Sequence, residues 1–311
     1  MYRERKVAVV IPAYNVAPYL ERVIKGIPEF VDEIIVVEDA ATDDTTETLN
    51  RIEDPRLTVV HHTMNHGVGG AMVTGYRHAL ERGAAVVVKM DGDGQMDPWY
   101  LPALLDPILM HGYAYVKGNR FLDGDQLGRM PKSRLVGNFV LTFLTKLASG
   151  YWNIFDPQNG FVAIDANVLR RLPLERLARR YFFENDMLIH LNILQARVKD
   201  VAIPARYGDE RSSMRLGHVC ATFPLYLLRR FWYRIYQKYI LRDFSPIAVF
   251  WITGTLLLSW GTGFGAFTWI RSSWTGHVAS TGTVMLSALP LILGFQLALQ
   301  AIAIEIQESS R

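Results

Sequence analysis

Four short apolar runs, each ended by a polar cluster, constrain the fold of this chain more than any other feature. They are Val7-Ala8-Val9-Val10-Ile11, Ile34-Ile35-Val36-Val37, Leu57-Thr58-Val59-Val60 and Val86-Val87-Val88-Lys89-Met90. Near-continuous runs of this kind mark strands buried on both faces, the habit of parallel sheets. Helical segments separate them. Val16 to Ile27 carries Leu20, Val23, Ile24 and Ile27 on one side. Thr42, Asp43 and Asp44 offer N-cap oxygens for a helix through Thr48 and Leu49. Gly67 to Leu80 reads as a glycine-rich entry into a helix. The runs recur roughly every 22–28 residues, the size of a βα unit. The pattern predicts a doubly wound α/β domain with a parallel sheet.

Ligands of such sheets bind beyond the carboxyl ends of the strands. Pro12-Ala13-Tyr14-Asn15, Glu38-Asp39, Asn65-His66-Gly67 and Asp91-Gly92-Asp93 all fall there, which points to one cleft. Asp91-Gly92-Asp93-Gly94-Gln95 carries the chemistry. Residues i and i+2 of an extended segment point the same way, so Asp91 and Asp93 are expected to face one point. The glycines let a bulky ligand approach the backbone. Mg²⁺ is typically held by one or two carboxylates plus substrate phosphates, so the loop reads as metal plus diphosphate. Gly67-Val68-Gly69-Gly70 lacks the dinucleotide register and does not open the first βα unit.

The C-terminal part is of another kind. Phe244 to Ile270 has no charged side chain, and Ser272 to Ile304 has none if His277 is neutral. Each stretch exceeds the roughly 20 residues that cross a bilayer. Spans are expected near Ile247–Ile270 and Thr283–Ile304, joined by a short polar loop. Trp251, Trp260, Trp269 and Trp274 suit the membrane interfaces, and Pro290 is tolerable in a membrane helix. Arg229, Arg230, Arg234, Lys238 and Arg242 precede the first span, whereas the connecting loop carries only Arg271. The positive-inside rule then places the large N-terminal part and the C-terminus in the cytoplasm. Met1 to Lys6 runs straight into a strand without a signal-peptide pattern. The single Cys220 excludes an intramolecular disulfide and fits a reducing compartment. Phe223 to Leu241 mixes aromatic, leucine and basic residues, as an amphipathic helix in the headgroup plane does. Arg134 to Trp152 is similar but less charged, with Leu135, Phe139, Leu141, Phe143, Leu144 and Leu147 forming a broad apolar face. The net charge of +3 averages over these unlike regions and gives no case for a nucleic-acid partner. The expected division is a catalytic domain over 1–215, juxtamembrane amphipathic helices over 216–243, and two membrane helices with a short tail over 244–311.

In order and spacing, Pro12-Ala13-Tyr14-Asn15, Glu38-Asp39 with Thr42-Asp43, Asn65-His66-Gly67-Val68-Gly69-Gly70-Ala71 and Asp91-Gly92-Asp93-Gly94-Gln95 resemble the family-2 glycosyltransferases of the GT-A fold. The resemblance covers roughly residues 5–215. It implies a Rossmann-like GT-A domain and a nucleotide-diphosphate sugar donor. It implies that Asp39 contacts the base, with Pro12, Ala13, Tyr14, Asn15, Glu38, Gly67, Asp91 and Gly92 lining the nucleotide site. Asp91, Asp93 and Gln95 would hold Mg²⁺ or Mn²⁺ against the diphosphate.

Within that family the chain is similar to the polyprenyl-phosphate glycosyltransferases, the group of dolichyl-phosphate mannose synthase and bacterial undecaprenyl-phosphate sugar transferases. The supporting pieces are Gly118-Asn119-Arg120-Phe121, the basic run Arg129 to Arg134, Asp156-Pro157-Gln158-Asn159-Gly160-Phe161, Phe183-Glu184-Asn185-Asp186-Met187-Leu188 and the segment Pro204 to Met214. Two departures stand out: Glu210-Arg211-Ser212-Ser213 replaces a Gly-x-Ser-Lys of the eukaryotic synthases, and Asn159 replaces a common small hydroxyl residue. A phosphate acceptor is already anionic near pH 7 and needs positioning more than deprotonation. Guanidinium groups suit that task. Arg120, Arg134 and Lys132 are the acceptor-phosphate candidates, joined by Arg206, Arg211 and Ser212. Asp186 stands where relatives with hydroxyl acceptors place a base, so Asp93, Asp186, Arg120 and Arg134 form the expected catalytic set.

The resemblance thus implies a metal-dependent, inverting transfer of a hexose from a GDP- or UDP-linked donor to undecaprenyl or dolichyl phosphate. The expected place is the cytoplasmic face of a bacterial inner membrane. Transfer to another lipid or glycan hydroxyl, with Asp186 as base, is an alternative. A polysaccharide synthase is disfavoured, because Arg229-Arg230-Phe231-Trp232 is not its Gln-x-x-Arg-Trp motif and more spans would be expected. A non-catalytic, membrane-anchored nucleotide-sugar binding protein is the alternative of another class. The sugar, the base and homo-oligomerisation are left open.

Overall fold

The four apolar runs form strands β1 (Val7–Ala13), β2 (Glu33–Glu38), β3 (Leu57–His61) and β4 (Val86–Lys89). Helices α1 (Ala17–Lys25), α2 (Thr45–Asn50) and α3 (Val68–Glu81) connect them. All three pairings are parallel, in the order β3-β2-β1-β4. Alternation along β1 divides the core: Val7, Val9, Ile11 and Ala13 join the layer containing Leu20, Val23 and Ile24 of α1. Ala8 and Val10 join the opposite layer, with Ala71, Met72 and Tyr76 of α3. A Cβ at Gly75 would overlap Val10 and crowd Val37, so this glycine lets α3 lie close on the sheet. Asp43, rather than the N-cap residue Asp44, holds the start of α2, accepting from Thr45 N at 3.1 Å and Thr45 Oγ1 at 2.5 Å.

The computed structural model describes residues 1–121, 132–204 and 216–309, and the side chains of 132–136, 138, 216–221 and 309 are outside the description. Beyond β4 the sheet continues with β5 (Tyr115–Asn119), β6 (Val162–Asp165) and β7 (Val198–Ala202). These strands follow α4 (Leu101–His111), α5 (Lys132–Ser149) and, with α6 (Ala166–Arg171) before it, α7 (Phe183–Ile193). The full order is β3-β2-β1-β4-β6-β5-β7. β6 is antiparallel to both neighbours, so the sheet is mixed rather than wholly parallel as its first half predicts. No uniform apolar run marks β5 or β7, because Lys117, Asn119, Lys199 and Asp200 interrupt them, and the run in β6 is only Phe161 to Ile164. The reversal of β6 has a consequence for the rim. Its first residue, Val162, pairs with Lys89 and Lys117, so the loop before it emerges where β4 and β5 end.

Residues 1–231 and 232–311 form separate compact units. Helix α8 (Leu216–Tyr239) crosses that division. The second unit holds α9 (Pro246–Thr275) and α10 (Thr281–Ser309), each long and apolar enough to cross a membrane. Both run further than the uncharged stretches suggest, since α9 includes Arg271 and α10 includes Glu305 and Glu308. The two pack antiparallel through small residues: Gly254 lies against Gly294, Gly261 against Leu291, and Gly265 against Ser287. Ser287 Oγ also donates to the Gly261 carbonyl at 3.0 Å. Within the same unit, fully buried Arg234 pairs with buried Glu305 at 3.0 Å, and Lys238 pairs with Glu308 at 3.3 Å.

Candidate active site

The ends of β1 and β2 are stitched by local polar contacts. Asn15, at φ 56°, accepts from Thr42 N at 2.8 Å, and its Nδ2 donates to Thr42 Oγ1 at 3.2 Å. Val16 N donates to Thr45 Oγ1 at 3.0 Å, and Asp39 N donates to the Ala13 carbonyl at 2.9 Å. Glu38, buried at the end of β2, accepts from Ala41 N and meets His61 Nδ1 at 3.1 Å. Asp39 reaches the mouth of α3: Oδ1 accepts from His66 N at 2.9 Å and Oδ2 from Gly67 N at 2.7 Å. Gly67 itself is the N-cap of α3 at φ 77°. Pro12, Ala13, Tyr14, Asn15, Glu38, Asp39 and Gly67 are therefore neighbours on one rim. Tyr14 leaves its ring 47% exposed beside them.

The acidic loop sits at the end of β4. Lys89 is buried, and its Nζ lies 2.7 Å from Asp91 Oδ1 and 3.2 Å from Glu184 Oε1. Burial alone would lower the Lys89 pKa, but Asp91 and Glu184 outweigh it and hold the ammonium above its usual value. Glu184 comes from α7, so one buried lysine ties two carboxylates that are far apart in sequence. Gly92 to Gly94 turn rather than extend, so the extended-chain reason for a shared direction of Asp91 and Asp93 does not hold here. Asp93 Oδ1 accepts from Gln95 N at 3.0 Å within this turn. Among the described residues no group of three or more His, Cys, Asp or Glu side chains could hold a metal alone. Asp91, Asp93 and Gln95 offer oxygens, the ligand type a hard cation takes, with phosphate oxygens to complete its shell.

The loop before β6 joins this end to β5. Gly160 presses on β4, since a Cβ there would overlap Lys89 Nζ and crowd Asp91, and its carbonyl accepts from Lys89 Nζ at 3.4 Å. Asn159 donates to the Gly118 carbonyl at 2.8 Å and accepts from Phe161 N at 3.0 Å, while its own carbonyl accepts from buried Lys117. Burial lowers the Lys117 pKa to about 8, even with Glu184, Asp156 and Asp200 nearby. Asp156, also buried, forks onto Arg120, accepting from Nε at 2.7 Å and Nη2 at 3.0 Å. Arg120 keeps 33% of its side chain exposed. Asn159 thus braces β5 and the start of β6 through its side-chain amide and its backbone carbonyl.

Asp186 faces elsewhere. It is fully buried on α7, and its Oδ2 accepts from Ala178 N at 2.8 Å and from Arg230 Nη2 of α8 at 2.8 Å. Oδ1 lies 3.8 Å from His190 Nε2 and has no hydrogen-bond partner among the described residues. Burial raises the Asp186 pKa to about 6 against the pull of Arg230 and Ala178 N. Burial, with Arg230 and Arg176, lowers His190 to about 4 and keeps it neutral. Residues two apart on a helix do not share a face, and it is Glu184 that meets the acidic loop. The structure thus gathers Asp91, Glu184 and Gly160 around Lys89, and joins Arg120 to them through the Asp156–Gly160 loop. It does not bring Asp186 into that group. The side chains of Lys132 and Arg134, and all of Arg206, Arg211 and Ser212, lie outside the described residues. Lys89, Glu184, Asp156 and Arg230 are not among the expected site residues, although Glu184 and Asp156 lie inside segments that carry the resemblance. A lysine inside a buried strand is the signal that could have found Lys89 and Lys117, because such a charge demands partners.

The family "Glycosyl transferase family 2" matches residues 8–173, more than half of the chain. An undecaprenyl-phosphate mannosyltransferase of Micrococcus luteus is 32% identical over 203 residues, covering 64% of this chain and 82% of that protein. A UDP-N-acetylglucosamine–dolichyl-phosphate N-acetylglucosaminyltransferase of Methanococcus voltae is 29% identical over 238 residues, covering 72% and 94%. Among solved structures, Mycobacterium tuberculosis glucosyl-3-phosphoglycerate synthase superimposes with a TM-score of 0.56 at 24% identity, covering 73% of this chain and 81% of that one. Its complex with Mn²⁺, UDP and glucosyl-3-phosphoglycerate gives 0.53, covering 74% and 80%. The structural likeness establishes the GT-A fold, and the sequence match establishes the family: the chain is a glycosyltransferase and belongs to family 2.

Proposed function

We propose that the protein transfers a sugar from a nucleoside-diphosphate donor to a polyprenyl phosphate at a membrane surface. The observation that carries this reading is the Asp156–Gly160 loop, which touches the acidic end of β4 through Gly160 and the Arg120 guanidinium through Asp156. Carboxylates suited to a metal diphosphate and an arginine suited to an anionic acceptor are thereby held by one short segment. Relatives that act, by name, on undecaprenyl and dolichyl phosphate support the acceptor class.

Pro12, Ala13, Tyr14, Asn15, Glu38, Asp39 and Gly67 would border the base and ribose. Asp91, Asp93 and Gln95 would hold Mg²⁺ or Mn²⁺, which when bound neutralises the leaving diphosphate. The acceptor phosphate oxygen attacks the anomeric carbon, the bond to the donor diphosphate breaks, and the configuration inverts. That oxygen is already anionic, so no side chain has to take a proton. Arg120, with Arg134 and Lys132 beyond it and Arg206, Arg211 and Ser212 as further candidates, would position the phosphate. Asp186, closed in by Arg230 and Ala178, braces α8 rather than acting as a base. Exposed Phe139 and Phe143 of α5 and Leu225, Tyr226 and Leu228 of α8 suit a lipid surface. The basic flank before α9 favours the cytoplasmic face for residues 1–243.

Purified protein incubated with UDP- and GDP-sugars and a short polyprenyl phosphate should give a glycosyl-phospholipid, identified by mass. Asp93→Ala, or excess EDTA, should abolish the product without unfolding the protein. Full activity of Asp93→Ala would remove the metal assignment. A neutral polyprenol that served as well as the phosphate would remove the acceptor assignment and return Asp186 to the role of base.

A further inference from the structure

The carboxylate of Asp39 is almost wholly committed within the chain, and this limits what base it can read. An ionised carboxylate has about four acceptor positions, two on each oxygen. On Oδ1, His62 Nδ1 lies at 2.6 Å and His66 N at 2.9 Å, so both positions are filled. On Oδ2, Gly67 N fills one at 2.7 Å. Among the described residues these are the side-chain contacts of Asp39, and one acceptor position is left. His62 is itself fixed. Its Nε2 lies 2.9 Å from Thr74 Oγ1 of α3, while Nδ1 donates to the carboxylate, which can only accept. Only 12% of the His62 side chain is exposed.

A single remaining acceptor position suits a base edge with one N–H between carbonyls, as in uracil. Guanine presents two parallel donors, N1–H and the exocyclic amine, which match a carboxylate with both oxygens free. Against Asp39 as held here, one of those donors would be buried without a partner, a loss of the kind that discriminates strongly between ligands. We propose that His62, by occupying Asp39 Oδ1, makes this site prefer a uracil-type nucleoside diphosphate over a guanine one. The proposal rests on the donor-site reading above. His62 is a positioning residue that acts through Asp39.

The test is calorimetric titration of UDP and of GDP into the full-length protein in detergent with Mn²⁺. The wild type should bind UDP at least about tenfold more tightly than GDP, a difference of roughly 1.4 kcal/mol. His62→Leu frees the second position on Oδ1 and should shrink that ratio at least about threefold, chiefly by improving GDP binding. His62→Asn, which keeps a donor near Nδ1, should preserve it. Thr74→Val, which leaves His62 without its hydroxyl partner, should shrink the ratio in the same direction and serves if His62→Leu does not fold. A merely structural role for His62 would weaken both nucleotides together and leave the ratio alone, which overturns the proposal. Equal affinity of the wild type for UDP and GDP overturns it as well. If neither nucleotide binds, the donor-site reading fails and this inference falls with it.

Discussion

The rim over β1 to β3 and the rim over β4 to β7 are held by different means. The first is sewn by backbone amides and small polar side chains. Asn15 meets Thr42, Val16 meets Thr45, and Asp39 meets His66 and Gly67. The second is clamped by buried charges brought from distant segments. Lys89 meets Glu184 and Arg120 meets Asp156, and away from that group Asp186 meets Arg230. Neutral hydrogen bonds such as those of exposed Asn15 and buried Thr45 are each modest and replaceable one at a time. A buried ion pair is not, because removing one partner strands the other in a low-dielectric interior. The side of the site that carries the acidic loop is thus the more brittle one.

The largest test of this contrast is Lys89. Lys89→Met removes the cation that bridges Asp91 and buried Glu184, and breaking a buried pair typically costs about 3–5 kcal/mol. Denaturant unfolding should show a loss in that range, and adding Glu184→Gln should recover part of it. A loss below about 1 kcal/mol would mean that the second rim tolerates charge removal as the first does.

Arg120→Ala comes next. It leaves Asp156 buried without its fork, and truncating such a pair typically costs about 2–5 kcal/mol. Because Arg120 is one-third exposed, the lower end of that range is expected in stability. Acceptor turnover should fall about tenfold or more while donor affinity holds, since a charge-assisted phosphate contact is worth roughly 1.5–3 kcal/mol. Loss of stability with unchanged acceptor kinetics would make Arg120 a strut for Asp156 alone.

The same contrast explains what could be read from the sequence. The first rim was legible because its strands are largely apolar and its candidate site residues follow them directly. Asp39 and Gly67, like Asp91 at the end of β4, needed only the rule that sheets bind ligands at their carboxyl ends. β5 and β7 escaped because buried Lys117, Asn119 and Asp200 break their apolar pattern, and period alone cannot distinguish a buried, paired lysine from an exposed one. The antiparallel entry of β6 is a long-range choice that no local run encodes. Glu184 and Asp186 stand two apart in one motif, and only the helix phase of α7 decides which of them meets Lys89.

On the first rim, Asn15→Ala removes two contacts to Thr42 and places alanine at φ 56°, where a Cβ is disfavoured. A loss of about 1–2 kcal/mol is expected, with a several-fold weaker donor affinity and little change in turnover at saturating donor. Asn15→Gly should recover the backbone part of that loss. An Asn15→Ala loss as large as that of Lys89→Met would erase the difference between the two rims.

The smallest effect is one of pH, and its sign is unusual for carboxylates. Burial raises Asp186 and Asp200 to about 6, against Arg230 beside the first and Phe155 N and Lys117 beside the second. Unfolded, both ionise near the ordinary value of about 3.9. Between about pH 4 and 6 the folded chain therefore binds more protons than the unfolded one. Stability contributed by these groups is present at the acid end of that window and falls as pH rises through it. Asp200 Oδ1 has no hydrogen-bond partner among the described residues, while Oδ2 accepts from Asn119 Nδ2 and Phe155 N. Asp200→Asn can keep an oxygen toward those two donors and removes the titration. Melting temperatures from pH 4 to 7 should therefore fall less steeply for Asp200→Asn than for the wild type. Parallel profiles would mean that Asp200 ionises at its ordinary pKa, and that burial strains the second rim less than its charges imply.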